Sequence, residues 1–196
     1  MKLLSLVIYN SSAKPFKNLA SAFHLADYGF FQRGSIQEFL TFFSQTVAER
    51  TSPGQRQAVD EDKYVAYAYS TPNGLAGILV ADQEYPSRVA FSLLGRLLDD
   101  FVAKYPHEDA RVPGGTPFPE LEEYLQKYQD PKSADAITRV QRELDETTEV
   151  LHKTIESVLQ RGETLDNLVD KSGALSFQSK QFYKTAKKNN SCCSVM

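Results

Sequence analysis

The residues best suited to chemistry lie toward the end of the chain. Cys192 and Cys193 are its only two cysteines, and they are adjacent. Cys193-Ser194-Val195-Met196 forms a CaaX box, whose cysteine thiol takes an isoprenoid; a terminal Met favours farnesyl. Cys193 would become the new C-terminus after processing. One isoprenoid gives only marginal, reversible membrane binding, and stable anchoring takes a second signal. Cys192 is the obvious second acceptor, for palmitate or another prenyl group. A lysine group precedes it (Lys180, Lys184, Lys187, Lys188), and from Lys171 onward there are five lysines and no acidic residue. Near an anionic leaflet each lysine would add about 1 kcal/mol.

Nothing else in the sequence points to catalysis. His24, His107 and His152 lie far apart, without metal-ligand spacing. Neither G-x-x-x-x-G-K-[ST] nor G-x-S-x-G occurs, so neither a phosphate loop nor a nucleophile elbow is expected. The expectation is a protein that is not an enzyme, with no metal and no cofactor beyond covalent farnesyl and palmitoyl groups. Neighbouring cysteines rarely pair with each other, which leaves no disulfide framework and a cytosolic reading. A formal charge of −3 over 196 residues suggests no nucleic-acid partner. No apolar run approaches the roughly 18 residues of a membrane span. Asn10-Ser11-Ser12 and Asn189-Asn190-Ser191 match a glycosylation pattern, which is accidental in a cytosolic chain.

The elements that must position these groups fall into two regions. Residues 3–9 read as a strand buried on both faces, and 18–28 fit strand or helix. Ser35-Ile36-Gln37-Glu38 has capping-box spacing and predicts a helix running through Phe39, Leu40, Phe42, Phe43 and Val47 to a stop at Thr51–Gly54. Residues 64–69 and 75–81 predict two strands joined by a Thr71-Pro72-Asn73-Gly74 turn, an Asn-Gly hairpin signal. Residues 87–104 carry Val89, Leu93, Leu94, Leu97, Leu98 and Phe101 at helical spacing, and a short helix follows over 119–128. Early strands flanked by helices predict an α+β domain over 1–130, built on an antiparallel sheet, with a linker at 131–136.

Beyond the linker the period changes to 3.5. Ile137, Val140, Leu144, Thr147, Leu151, Thr154, Val158, Arg161, Leu165, Leu168, Ser172, Leu175, Ser179, Phe182, Ala186 and Asn189 are sixteen successive a/d positions, ten of them apolar. Such a run reads as one coiled-coil helix over 137–190, ahead of a tail at 191–196. Thr and Ser layers, with Gly162 and Gly173, dilute it, so it should fold on its partners. Arg161 sits mid-seam, and burying its guanidinium requires acceptors from neighbouring helices.

Leu144-Asp145-Glu146-Thr147, and Val158 through Leu168 with Arg161-Gly162-Glu163 at its centre, resemble the R-SNARE motif. The sixteen positions coincide with that family's layers, with Arg161 as the zero layer. Gly29-Phe30-Phe31-Gln32-Arg33, Gln37-Glu38-Phe39 and Ala81 through Phe91 are similar to the longin domain, and with the Cys192-Cys193 ending the chain resembles lipid-anchored longin R-SNAREs of the Ykt type, in the synaptobrevin family.

The resemblance implies a five-stranded antiparallel sheet with helices on both faces, and a parallel four-helix bundle in which Arg161 meets glutamines from three Gln-SNARE helices. It implies vesicle docking and fusion, with reversible attachment to the cytosolic face of Golgi, vesicle, endosomal and vacuolar or lysosomal membranes. It also implies a closed form in which the longin domain contacts the SNARE segment and masks the lipid. Because Phe39, Phe42 and Phe43 cannot all face one core, Phe42, with Phe39, is the expected lining of a masking groove. Phosphate on Ser172 or Ser179 would put charge into a packed layer. The alternative reading is a prenylated adaptor that binds a partner helix without fusing membranes.

Overall fold

The computed structural model describes residues 2–107, 113, 116–130 and 149–192, with side chains through Lys188. In chain order its elements are β1 (Leu3–Asn10), β2 (Lys17–Phe23), α1 (Phe30–Ala48), β3 (Arg56–Glu61), β4 (Tyr64–Ser70), β5 (Leu75–Asp82), α2 (Ser87–Lys104) and α3 (Glu120–Lys127). After residues 131–148, which lie outside the description, come β6 (Val150–Thr154), α4 (Ile155–Val158), α5 (Leu165–Lys171) and α6 (Phe177–Cys192).

The strand order is β2-β1-β5-β4-β3-β6. The first five strands pair antiparallel, and β1 is buried along nearly its whole length because β2 and β5 flank it and helices cover both its faces. Its register slips between Leu3 and Ser5, which is why Leu3 and Leu6 share one face although their spacing is odd. Gly74 has φ 74°, the left-handed turn conformation that the Asn-Gly signal between β4 and β5 requires. β3 has only two apolar residues, so its sequence announces little. The ladder to β4 makes it a strand, and its buried Gln57 donates from Nε2 to Thr51 Oγ1 at 2.6 Å.

Two cores result. On one face α2 and α3 press Leu93, Leu94, Leu97, Phe101 and Leu121 against Leu6, Ile8, Tyr67 and Leu79. Gly77 of β5 lies directly beneath α2, where a Cβ would come within 3.2 Å of Leu94 and Leu98. On the other face α1 places Ile36, Leu40, Phe43 and Val47 over Val7, Ala66, Ile78 and Val80. That second core is completed by Ile155, Leu159, Leu165, Val169, Leu175 and Tyr183 from the C-terminal region.

Three expectations need correction. The sheet has six strands rather than five, because β6 adds in parallel to β3, from Arg56↔Val150 to Asp60↔Thr154. The predicted long coiled-coil helix is not continuous: residues 149–192 form a strand and three helices wrapped on the domain. A helix diluted with Gly, Ser and Thr has little intrinsic stability, so the face on which it packs decides its shape. Ser35 and Glu38 lie inside α1, which begins at Phe30 with Gly29 as N-cap. Ser-x-x-Glu is also an ordinary i,i+3 spacing within a helix, and here Glu38 bonds elsewhere.

Candidate functional site

The site is the seam where residues 150–188 clasp the α1 face of the sheet. β6 holds the upstream end by its ladder to β3, and Ile155 and Leu159 then turn inward, Ile155 fully buried. The chain reverses at Gln160–Glu163, where Gly162 takes φ +88°. Glu163 fastens this turn: its backbone N–H donates to Gln160 O at 2.9 Å, and its carboxylate receives Arg50 Nη2 at 3.0 Å. Arg50 Nη1 in turn donates to Thr46 O in α1. Thr164 caps α5 by accepting from Asn167 N–H at 3.2 Å.

α6 returns along α1. Glu38 Oε2 accepts both Ser176 N–H (3.0 Å) and Ser179 Oγ–H (2.6 Å), and these bonds hold its carboxyl below the usual range. One turn on, the Tyr183 ring stacks on Phe39 with centroids 5.0 Å apart, and Phe39 stacks on Phe43. Burial, with the Asp166 carboxylate next in weight, pushes the Tyr183 hydroxyl far up.

Between α1, the β3–β4 turn and α6 lies a cavity of about 640 Å³, lined largely by apolar groups that include Leu4, Phe39, Phe43, Val80 and Phe182. Its rim carries Glu61, Lys63 and Lys187. Burial and then the Glu156 carboxylate raise Glu61 to about 7, against the opposing pull of Lys187. The cavity suits a linear or branched hydrocarbon with a polar end at the rim, since little polar surface meets its interior.

A family model described as regulated-SNARE-like longin domain matches residues 25–125, and a synaptobrevin model matches residues 136–194. The chain is 55% identical to a synaptobrevin homolog ykt6 of Schizosaccharomyces pombe, with each chain covered in full. Synaptobrevin homologs YKT6 of Eremothecium gossypii (52%) and Saccharomyces cerevisiae (46%) also match over the whole of both chains. The chain belongs to the synaptobrevin family, in its longin-bearing Ykt6 type. It is therefore a SNARE, a trafficking protein with SNARE partners and not an enzyme. Among the described residues no helix is long and apolar enough to cross a membrane.

Seen as a SNARE, the clasped segment uses its residues unexpectedly. Of the expected seam positions, Leu165, Leu175 and Ser179 are buried, while Leu151, Val158, Leu168, Ser172, Phe182 and Ala186 are half-buried. Thr154 and Arg161 are exposed, so the zero-layer candidate is turned to solvent in this arrangement. Ile137, Val140, Leu144, Thr147 and Cys193 lie outside the described residues, and the side chains of Asn189 and Cys192 do too. Phe39 lines the cavity, but Phe42 does not; Phe43 takes that place because it follows Phe39 by one helical turn.

The sequence reading missed four anchors: Ile155, Leu159, Val169 and Tyr183, all buried. Each directly follows a seam position (Thr154, Val158, Leu168, Phe182). The available signal was an apolar or aromatic residue just outside a heptad seam, where a simple bundle would expose it.

Proposed function

We propose that this SNARE works as a vesicular R-SNARE that cycles between the clasped arrangement and an open one. In the open form residues 137–189 straighten and zip, parallel, with three Gln-SNARE helices, Arg161 meeting their glutamines at the zero layer. Farnesyl on Cys193, with palmitate or a second prenyl group on Cys192, tethers the rod to the cytosolic face of Golgi, vesicle, endosomal and vacuolar or lysosomal membranes. In the clasped form the apolar cavity beside Phe39 and Phe43 takes up the isoprenoid, which in water would cost about 25 cal/mol per Å² of exposed apolar area.

The observation that carries this reading is one conflict of geometry. Leu165, Leu175 and Ser179 cannot both be buried on the α1 side of the domain and pack into a four-helix seam, so clasping and zippering exclude each other. The test is lipid mixing between vesicles bearing the lipidated chain and vesicles bearing Gln-SNAREs. Fusion that depends on Cys193 and is impaired by Arg161→Ala is expected. Binding of Gln-SNARE helices without mixing would mean a prenylated adaptor instead.

A further inference from the structure

The four-lysine run next to the lipid-bearing cysteines is not free in the clasped form. Lys187 Nζ lies 2.7 Å from Asp166 Oδ2, and Lys184 Nζ lies 2.7 Å from Asp170 Oδ1. Lys180 Nζ donates to the backbone carbonyl of Asp170 at 2.9 Å. Lys187 also lies over the Tyr183 ring, 5.8 Å from its centroid, at the rim that carries Glu61. Three of the four lysines are thus occupied by one short helix, α5, whose acidic groups precede them in the same chain.

These contacts cannot survive straightening. Asp166 and Lys187 are twenty-one residues apart, which is about 31 Å along a continuous helix at 1.5 Å per residue. Asp170 and Lys184, fourteen residues apart, would be separated by about 21 Å. The pairs exist only because the chain folds back at Ser172–Ser176, between α5 and α6. Residues 171–196 hold five lysines and no acidic residue, so no side chain of that stretch replaces the lost partners.

We infer that Asp166 and Asp170 occupy the tail lysines in place of an anionic bilayer, so that clasping hides a membrane-binding charge and opening exposes it. The partner surface is a lipid bilayer rich in acidic headgroups, and the binding residues are Lys180, Lys184 and Lys187. The coupling runs both ways: a bilayer that binds the lysines only in the open form must shift the population toward that form. The ion pairs are about half exposed, so the competition is finely balanced and sensitive to salt.

The inference rests on the proposed opening, and its test separates the two. The full chain without lipid is sedimented with phosphatidylcholine vesicles, with or without phosphatidylserine. The isosteric D166N/D170N variant should bind serine-containing vesicles up to about twenty-five-fold more tightly than the unaltered chain, each of the two freed lysines contributing roughly fivefold. It should gain nothing on neutral vesicles, and K184Q/K187Q added to it should cancel the gain, as should raised salt. An equal gain on neutral vesicles would attribute the effect to exposed apolar surface and overturn the inference, and so would no gain at all. Hydrogen exchange of β6 is followed in parallel with Gln-SNARE helices. If those helices release β6 while the vesicle result is negative, opening stands and the charge-masking idea falls. If β6 stays protected with every partner, the opening itself is wrong.

Discussion

The two faces of the sheet are covered in chemically different ways. The α2 face is closed by helices of the same domain: Leu93, Leu94, Leu97 and Phe101 are essentially inaccessible, and the backbone of Gly77 lets α2 approach closely. The α1 face is closed partly by a borrowed segment. There the contacts mix apolar anchors (Ile155, Val169, Tyr183) with polar links: Glu38 to Ser176 and Ser179, and Arg50 to Glu163. An apolar core gains from every buried carbon and has no other state to move to. A mixed seam is weaker per residue and can be exchanged for another partner, because its polar groups find equivalents in water. The α2 face is thus built to stay closed, and the α1 face is the one that the proposed opening would release.

The largest expected effect breaks this comparison directly. Phe101→Ala on the α2 face should cost about 3–5 kcal/mol and lower the main unfolding transition of the domain. Val169→Ala, equally buried, should leave that transition nearly in place and instead release β6 and α4–α6. Denaturant unfolding combined with hydrogen exchange at residues 150–154 reads both. If Val169→Ala lowered the global transition as far as Phe101→Ala, the two faces would be one cooperative core.

A smaller effect is expected at the Gly162 turn. Its φ of +88° suits glycine, and no atom crowds the site, so Gly162→Ala acts through backbone conformation and not through a steric clash. Alanine there strains the clasped turn and favours a continuous helix; together these shift the balance toward the open form by about 2 kcal/mol, roughly thirtyfold. Fluorescence transfer between a dye on α2 and one on α6 measures the open fraction. An unchanged fraction would show that the turn is not what limits opening.

The smallest effect sharpens the picture of the rim. Glu61 is raised to about 7 in the clasped form, first by burial; in the proposed open form, with α6 gone, it should return toward the ordinary carboxylate value. The clasped form therefore binds more protons than the open one between roughly pH 4.5 and 7, and its stability falls as pH rises through that window. Glu38, Asp166 and Glu163 have lowered values, so their contributions are lost only at more acid pH. The same transfer measurement should give a larger clasped fraction at pH 6 than at pH 8, and Glu61→Gln should flatten the difference. A slope that survives Glu61→Gln would assign the titration to another group.

Much of the longin domain was legible in its sequence. The Asn73-Gly74 hairpin and the helix over 87–104 follow from local signals, since a turn that demands positive φ and a 3.6-residue apolar stripe need no partner to be recognised. β3 was not legible, because two apolar residues in six do not make a period. At the site, Phe42, with Phe39, was expected to line a lipid-masking groove; the cavity is lined by Phe39 and Phe43 and not by Phe42, a matter of one hundred degrees around α1 that only the packing resolves.

The sequence alone determined that the C-terminal region has heptad spacing with one arginine at its centre, because spacing is a property of order along the chain. Its clasped shape was decided only by tertiary structure. Residues 150–171 lack the intrinsic stability to choose between strand, turn and helix, and the free edge of β3, the cavity beside Phe39 and the carboxylate of Glu38 make that choice for them.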